Sequence, residues 1–268
     1  MHKVITLSDK NYFEFGHLFL KTRPKVNAKF ILYGPDLTKA QQKTLKNCDV
    51  EYKEISKDHF ENKMQFMKFE LIKNEIDLSD PSCGISLLDF DTFFLREWDS
   101  VFSHEFDLGI TVRNSYVTQK ILRAYANGGV IFGKHSKGTM DICDYALKVM
   151  EHGKDALLPE YDEIFKTLEH GRPANKTHKR ETLRWWVDQV FLSSLVYRYF
   201  KTNGYTKINE KSYLFGENNI GLFGCERYNC LDVLPGNIKS LISKKKTCII
   251  HLKDKGRSNI KAFERMLP

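Results

Sequence analysis

The chain has 268 residues, of which 41% are hydrophobic and 13% aromatic, so it can bury a substantial core and is not intrinsically disordered. Its formal charge of +8 is scattered apart from Lys244-Lys245-Lys246, read as a solvated turn, and fits an acidic small substrate, an anionic membrane or nucleic acid without choosing among them. No apolar run approaches the roughly 20 residues that cross a bilayer, and Met1 to Asp9 has no signal-peptide core.

Cysteines 48, 83, 143, 225, 230 and 248 form no C-x-x-C pair and no framework spacing. Reduced thiols in a cytoplasmic protein, bacterial or viral, are expected, with no anchor or signal segment. The sequon Asn175-Lys176-Thr177 then carries no glycosylation meaning.

Strand and helix signals alternate over the first hundred residues. Val4 to Leu7 reads as a strand and Tyr12 to Leu20 as a helix. A second strand, Lys29 to Tyr33, closes on the turn Gly34-Pro35-Asp36. A helix from Thr38 to Lys46 and a strand from Val50 to Ile55 follow. Phe60, Met64, Met67 and Leu71, with Phe66 and Phe69 beside them, give helix spacing over His59 to Asn74. A fourth strand leads into Asp89. This alternation argues for βαβ units and a mainly parallel sheet.

After residue 100 the pattern loosens. Phe106 to Val112 and Gly129 to Phe132 read as strands; Gly138 to Met150, Glu160 to Leu168 and Glu181 to Phe200 read as helices. The polar stretch His170 to Arg180 reads as an exposed loop. Short strands fill residues 205 to 224, and Thr247 to Leu252 is the last strand. No internal repeat and no linker divides the chain.

The most informative stretch is Gly84 to Leu95, where one apolar run delivers Asp89 and Asp91 and a second follows at once. Strand alternation puts residues i and i+2 on one side, so both carboxylates can converge just past a strand's carboxyl end. Converging acidic oxygens suit Mg²⁺ or Mn²⁺, which in turn hold phosphate oxygens. D-x-D also arises by chance in loops.

Four other groups bear chemistry, each with a plain structural alternative. Asp9, Asn11 and Tyr12 follow strand one and suit either base recognition or a helix cap. Asn127-Gly128-Gly129 suits close backbone approach to a ligand or a hairpin turn. Asp188 and Gln189 lie in an aromatic helix after Trp185-Trp186, where a buried acid needs a partner. His251 ends the last strand ahead of Lys253, Lys255 and Arg257 and is a third candidate ligand or a structural histidine.

In this order the pieces resemble the GT-A glycosyltransferases, most closely the retaining nucleotide-sugar transferases of family 8. The matching elements are D-x-N-Y (Asp9, Asn11, Tyr12), L-D-x-D (Asp89, Asp91), N-x-G-V (Asn127, Gly129, Val130), D-Q (Asp188, Gln189), a late His251, and the aromatic-Asn segment Arg227-Tyr228-Asn229. They span residues 4 to 257. The resemblance implies an α/β fold of Rossmann-like GT-A type, a mainly parallel sheet flanked by helices with D-x-D at a strand end. It implies a single domain over residues 1–268, residues 1–100 forming the nucleotide-binding half and 101–268 the donor-sugar and acceptor half.

The resemblance also implies roles. Thr6, Asp9, Asn11 and Tyr12 would hold the uracil and ribose of a UDP-sugar. Asp89, Asp91 and His251 would bind Mn²⁺ or Mg²⁺. Phe90, Gly128 and Gly129 would line the donor pocket, with Asn127, Asp188 and Gln189 as the catalytic group around the sugar. Lys68 and Arg257 would bind phosphates. The acceptor, whether glycan, lipid-linked or protein, would meet Asn114 to Tyr125 and His170 to Arg180. No nucleic-acid partner is expected.

The family segment H-x-x-G-x-x-K, usually followed by Pro-Trp, departs here to His251-Leu252-Lys253-Asp254-Lys255-Gly256-Arg257, keeping the histidine and the last positive charge. Competing readings fare differently. A nucleotidyltransferase or a dinucleotide-binding oxidoreductase wants a glycine-rich loop where Ser8-Asp9-Lys10-Asn11 stands. A metal-dependent nuclease wants a contiguous basic groove. A non-catalytic nucleotide- or carbohydrate-binding protein would tolerate loss of the metal.

Overall fold

A computed structural model of the protein describes residues 1–24, 26–112, 126–151, 188–189, 191–195, 206–209, 212–215, 219–230, 233–252 and 254–267. The expected helix at 160–168, the loop at 170–180, residues 114–125 and Lys253 lie outside them.

Strand β1 (His2–Leu7) runs into a 3₁₀ turn (Phe13–Gly16) and helix α1 (His17–Thr22). Strand β2 (Ala28–Gly34), helix α2 (Lys39–Asn47), strand β3 (Val50–Glu54) and helix α3 (Lys57–Glu75) follow. Helix α2 starts where it does because Thr38 and Gln41 form a reciprocal capping box. Strands β4 (Gly84–Asp89) and β5 (Thr92–Phe94) are separated only by Phe90 and Asp91. Then come β6 (Leu108–Val112), β7 (Ala126–Lys134) and helix α4 (Lys137–Glu151). Strands β8 (Thr206–Asn209), β9 (Ser212–Phe215), β10 (Ile220–Gly224) and β11 (Ile249–His251) complete the strand set.

Among the described residues the main sheet has nine strands in the order β3-β2-β1-β4-β7-β6-β10-β9-β8. Only β7 and β9 run against the others, so the sheet is mainly parallel, as expected. The central strands are apolar on both faces, which helices on both sides require. Ile5, Ile31, Ile85, Leu87 and Ile131 pack with Phe69, Ile72 and Ile142 of α3 and α4. Val4, Phe30, Leu32, Leu88, Val130 and Phe132 pack with Phe19 and Leu45 of α1 and α2. Helix α3 keeps the expected apolar stripe except at Met64, which is 40% exposed, while Ile72 and even Lys68 are buried.

Two features place the site. Strand β1 pairs with β2 on one side and β4 on the other, and Leu7 lies opposite Asp89. The chain therefore reverses its direction of travel across the sheet at β1/β4, the switch point where open α/β sheets leave a crevice at the strands' carboxyl ends. In addition, β5 and β11 form their own two-stranded antiparallel sheet, His251 opposite Thr92. Phe93, Ile250, Leu252, Ile238 and Phe263 form a small core beneath it. That satellite unit carries the last strand's histidine back to the aspartates.

Candidate active site

The two aspartates converge, though not through strand alternation. Asp89 ends β4, Phe90 and Asp91 form a turn, and β5 departs into the second sheet. The Phe90 ring points away into the core, against Phe13 and Phe19, so only its backbone lies at the turn. His251 Nε2 stands 3.3 Å from Asp91 Oδ1 and 3.6 Å from Asp89 Oδ2. One ligand atom from each of the three residues lies within 4.8 Å of the others.

Asp91 is fully buried and its two oxygens live in different surroundings. Oδ2 accepts from the Tyr12 hydroxyl and from Arg257 Nε, each at 2.7 Å. Oδ1 is buried without any hydrogen-bond donor. Burial alone would push this carboxyl up, but His251, Arg257 and Tyr12 hold it well below the usual carboxylate range. The same contact, together with burial, raises the Tyr12 phenol. The Arg257 guanidinium lies over the rings of Tyr12 (5.2 Å) and Phe15 (5.7 Å) and is 36% exposed.

On the other side stands Lys68, from α3. Its ammonium reaches Asp89 Oδ1 (2.9 Å), Asp188 Oδ2 (3.0 Å) and the Gly128 carbonyl (2.9 Å). Burial would lower this ammonium, yet the two carboxylates raise it. All three of its donors are taken by the protein. In this structure Lys68 ties the first aspartate to the helical segment that holds Asp188. Asp188 Oδ1 in turn accepts from the Gln189 backbone N–H at 2.8 Å.

Asn127-Gly128-Gly129 is not a hairpin turn. It lies inside β7, where the register steps from Ile110↔Ile131 to Thr111↔Asn127 and leaves a bulge. A Cβ on Gly128 would meet Asp188 at 2.3 Å, and one on Gly129 would meet the His251 ring at 2.3 Å. Both glycines are therefore required by side chains pressing on the strand. Asn127 Oδ1 accepts from Gly129 N–H (2.9 Å) and Asn229 Nδ2 (3.0 Å), while its own Nδ2 is buried without a partner.

Beyond β1, Asp9 Oδ1 accepts from the backbone N–H groups of Asn11 (2.9 Å) and Tyr12 (2.7 Å), which closes an Asx turn ahead of the helix; neither Ser8 nor Asp9 caps the 3₁₀ turn or α1, whose N-caps are Tyr12 and Gly16. Asn11 is exposed, and Thr6 Oγ1 is buried without a partner on β1. Sequence reasoning noted Asn229 but gave it no role, and passed over Thr111; both are fully buried beneath His251.

The donor set fits a hard divalent cation. Three carboxylates (Asp89, Asp91, Asp188) face two permanent cations (Lys68, Arg257), which leaves these five side chains one charge negative. The bare Asp91 Oδ1 and the Nε2 edge of His251 face one another at 3.3 Å, a contact that a cation between them or a hydrogen on Nε2 would satisfy.

No family model and no curated protein sequence matches the chain. Among solved structures, the galactosyltransferase LgtC in complex with donor and acceptor sugar analogs superimposes with a TM-score of 0.54 at 12% identity, over 98% of this chain and 93% of that one. An active-site mutant of LgtC gives a TM-score of 0.51 at 11% identity, over 93% and 86%. At this identity the likeness establishes the fold, which is the GT-A fold expected from the sequence.

Proposed function

We propose that the protein is a metal-dependent glycosyltransferase that moves a sugar from a nucleotide-sugar donor, a UDP-sugar, to a glycan, lipid-linked or protein acceptor with retention at the anomeric carbon. The observation that carries this reading is the cluster of Asp89, Asp91 and His251 at the switch point of a GT-A sheet, with one buried carboxylate oxygen lacking a donor. LgtC, a protein of this fold, holds donor and acceptor sugar analogs, which supports it further.

The residues divide the work. Asp89, Asp91 Oδ1 and His251 Nε2 would hold Mn²⁺ or Mg²⁺. Bound there, the cation supplies positive charge against the diphosphate that leaves as the glycosidic bond breaks. Arg257, partly exposed beside Asp91, adds charge for the phosphates. Thr6, Asp9, Asn11 and Tyr12 at the end of β1 would hold the nucleoside, and the backbone at Phe90, Gly128 and Gly129 would line the donor pocket. Asn127, whose buried Nδ2 lacks a protein partner, would complete the catalytic group around the sugar. Asp188 is engaged by Lys68 and by the Gln189 N–H, so in this reading it stabilises an oxocarbenium-like sugar and is not the nucleophile. Gln189 stands beside it. The leaving phosphate then takes the acceptor's proton. A cytoplasmic location belongs to the same reading, supported by six free thiols. No described helix is long and apolar enough to cross a membrane.

The test is nucleotide release from a panel of UDP-, GDP- and CDP-sugars with Mn²⁺, with chelator, and with Asp91→Asn. Metal-dependent release from one donor, lost in the variant, is expected. Release at near wild-type rate by Asp91→Asn would rule out the metal role.

A further inference from the structure

We propose that Asn229 is a positioning residue that sets the tautomer of His251: it holds the imidazole hydrogen on Nδ1 and so presents a bare Nε2 to Asp89, Asp91 and the cation between them. The inference rests on the metal-dependent reading above and assigns a part of that site which lies one layer behind the ligands.

The orientation of the buried carboxamide follows from its neighbours, step by step. Gly129 N–H donates to Asn127 Oδ1 at 2.9 Å, so that atom is an oxygen. The one Thr111 hydroxyl hydrogen is directed at the Asn127 and Val130 carbonyls, at 3.0 and 3.1 Å, so toward any further partner Thr111 Oγ1 is an acceptor. The Asn229 atom that faces both acceptors, 2.8 Å from Thr111 Oγ1 and 3.0 Å from Asn127 Oδ1, must therefore be its NH₂ group. Its carbonyl oxygen is left facing His251 Nδ1 at 3.0 Å. Only an N–H can meet a carbonyl oxygen there. The geometry thus fixes a hydrogen on Nδ1; in the neutral ring, the form that binds a cation, there is one N–H and Nε2 is the lone-pair nitrogen.

The relay is built from distant pieces of chain. Thr111 and Asn127 face each other across the β6/β7 bulge, Asn229 follows the short helix Cys225–Tyr228, and His251 ends β11. All four side chains are buried, and Gly129 provides the room in which His251 can lie on the strand. A carboxamide has a further property here. It accepts the Nδ1 hydrogen without adding charge to a cluster that already holds three carboxylates. Neutral histidine in water favours the opposite tautomer, with hydrogen on Nε2, which would point a donor at the cation's position. Groups in Asn229's place behind a metal-ligating histidine typically matter by 10–100-fold in metal affinity.

The test uses protein labelled with ¹⁵N-histidine. In metal-free protein at mildly alkaline pH, long-range ¹H–¹⁵N correlation spectra read the tautomer directly. Wild type is expected to show His251 with hydrogen on Nδ1, and Asn229→Ala to show the Nε2–H form or a mixture. Mn²⁺ binding followed by electron paramagnetic resonance should weaken roughly 10–100-fold in Asn229→Ala. The wild-type spectrum needs no variant, so a variant that fails to fold does not shield the inference. A wild-type Nε2–H ring, or unchanged Mn²⁺ affinity in a folded Asn229→Ala, overturns it. A wild-type Nδ1–H ring in a protein that binds no Mn²⁺ upholds the tautomer assignment and overturns the metal reading beneath it.

Discussion

Asp91 links the residues after β1 to the last strand and the segment beyond it. One of its oxygens is held by Tyr12 and Arg257, and the other is turned bare toward His251. Asp91→Asn keeps an oxygen for Tyr12 and Arg257 but removes the charge, so the fold should survive while turnover falls by at least about 100-fold, the usual scale for losing one electrostatic group at a reacting centre. Steady-state rates beside a thermal melt check both halves of that statement. Gly129→Ala tests the backbone approach: its Cβ would sit 2.3 Å from the His251 ring, so His251 must move. A loss of about 1–3 kcal/mol in chemical denaturation together with weakened Mn²⁺ binding is expected. Asp89 and Asp91 were legible in the sequence because neighbours in the chain remain neighbours in space. The work of Asn229 was not legible, because its partners Thr111, Asn127 and His251 come from three other parts of the chain.

Elements explain what the residues cannot. The β5/β11 sheet brings Asp91 and His251 together, with Leu252 N–H donating to the Asp91 carbonyl at 2.9 Å. The strand run Thr247 to Leu252 was readable from its apolar residues, but its detachment from the main sheet was not, since that depends on a pairing with residues 92–94. The bulge in β7 was likewise hidden, because N-G-G has the composition of a hairpin turn. At the far end of α3, Glu75 accepts from Lys3, Lys53 and Tyr33. Burial would raise its carboxyl, but these partners bring it down to about 2. A depressed folded-state value means stability that is present above the ordinary glutamate range and lost as pH falls toward 2. Glu75→Gln should therefore flatten the acid limb of stability below about pH 4, removing on the order of 2–3 kcal/mol of pH-dependent stability. Urea melts across that range check it, and an unchanged acid limb would contradict it. Thr38→Ala should cost α2 about 1 kcal/mol by opening its capping box.

For the whole molecule, the alternation of strand and helix over the first hundred residues was enough to anticipate a mainly parallel sheet, because a strand buried on both faces reads as an unbroken apolar run. The antiparallel insertion of β7 between β4 and β6 was beyond reach, since it depends on long-range pairing and not on local pattern. That insertion joins the two halves of the chain in one sheet and sets Asn127 and Gly129 of β7 beside Asn229 and His251. The charge of +8 remains spread over the chain, while the acidic and basic side chains of the candidate site sum to one negative charge, so in the proposed reading a cation would precede the diphosphate there. The most direct measurement is calorimetric binding of UDP, GDP and CDP, each with Mn²⁺ and with chelator. The account predicts that UDP binds in the presence of Mn²⁺ and at least about tenfold more weakly without it, a difference of roughly 1.4 kcal/mol. Binding of none of the three, or binding of UDP equally well without metal, would contradict it.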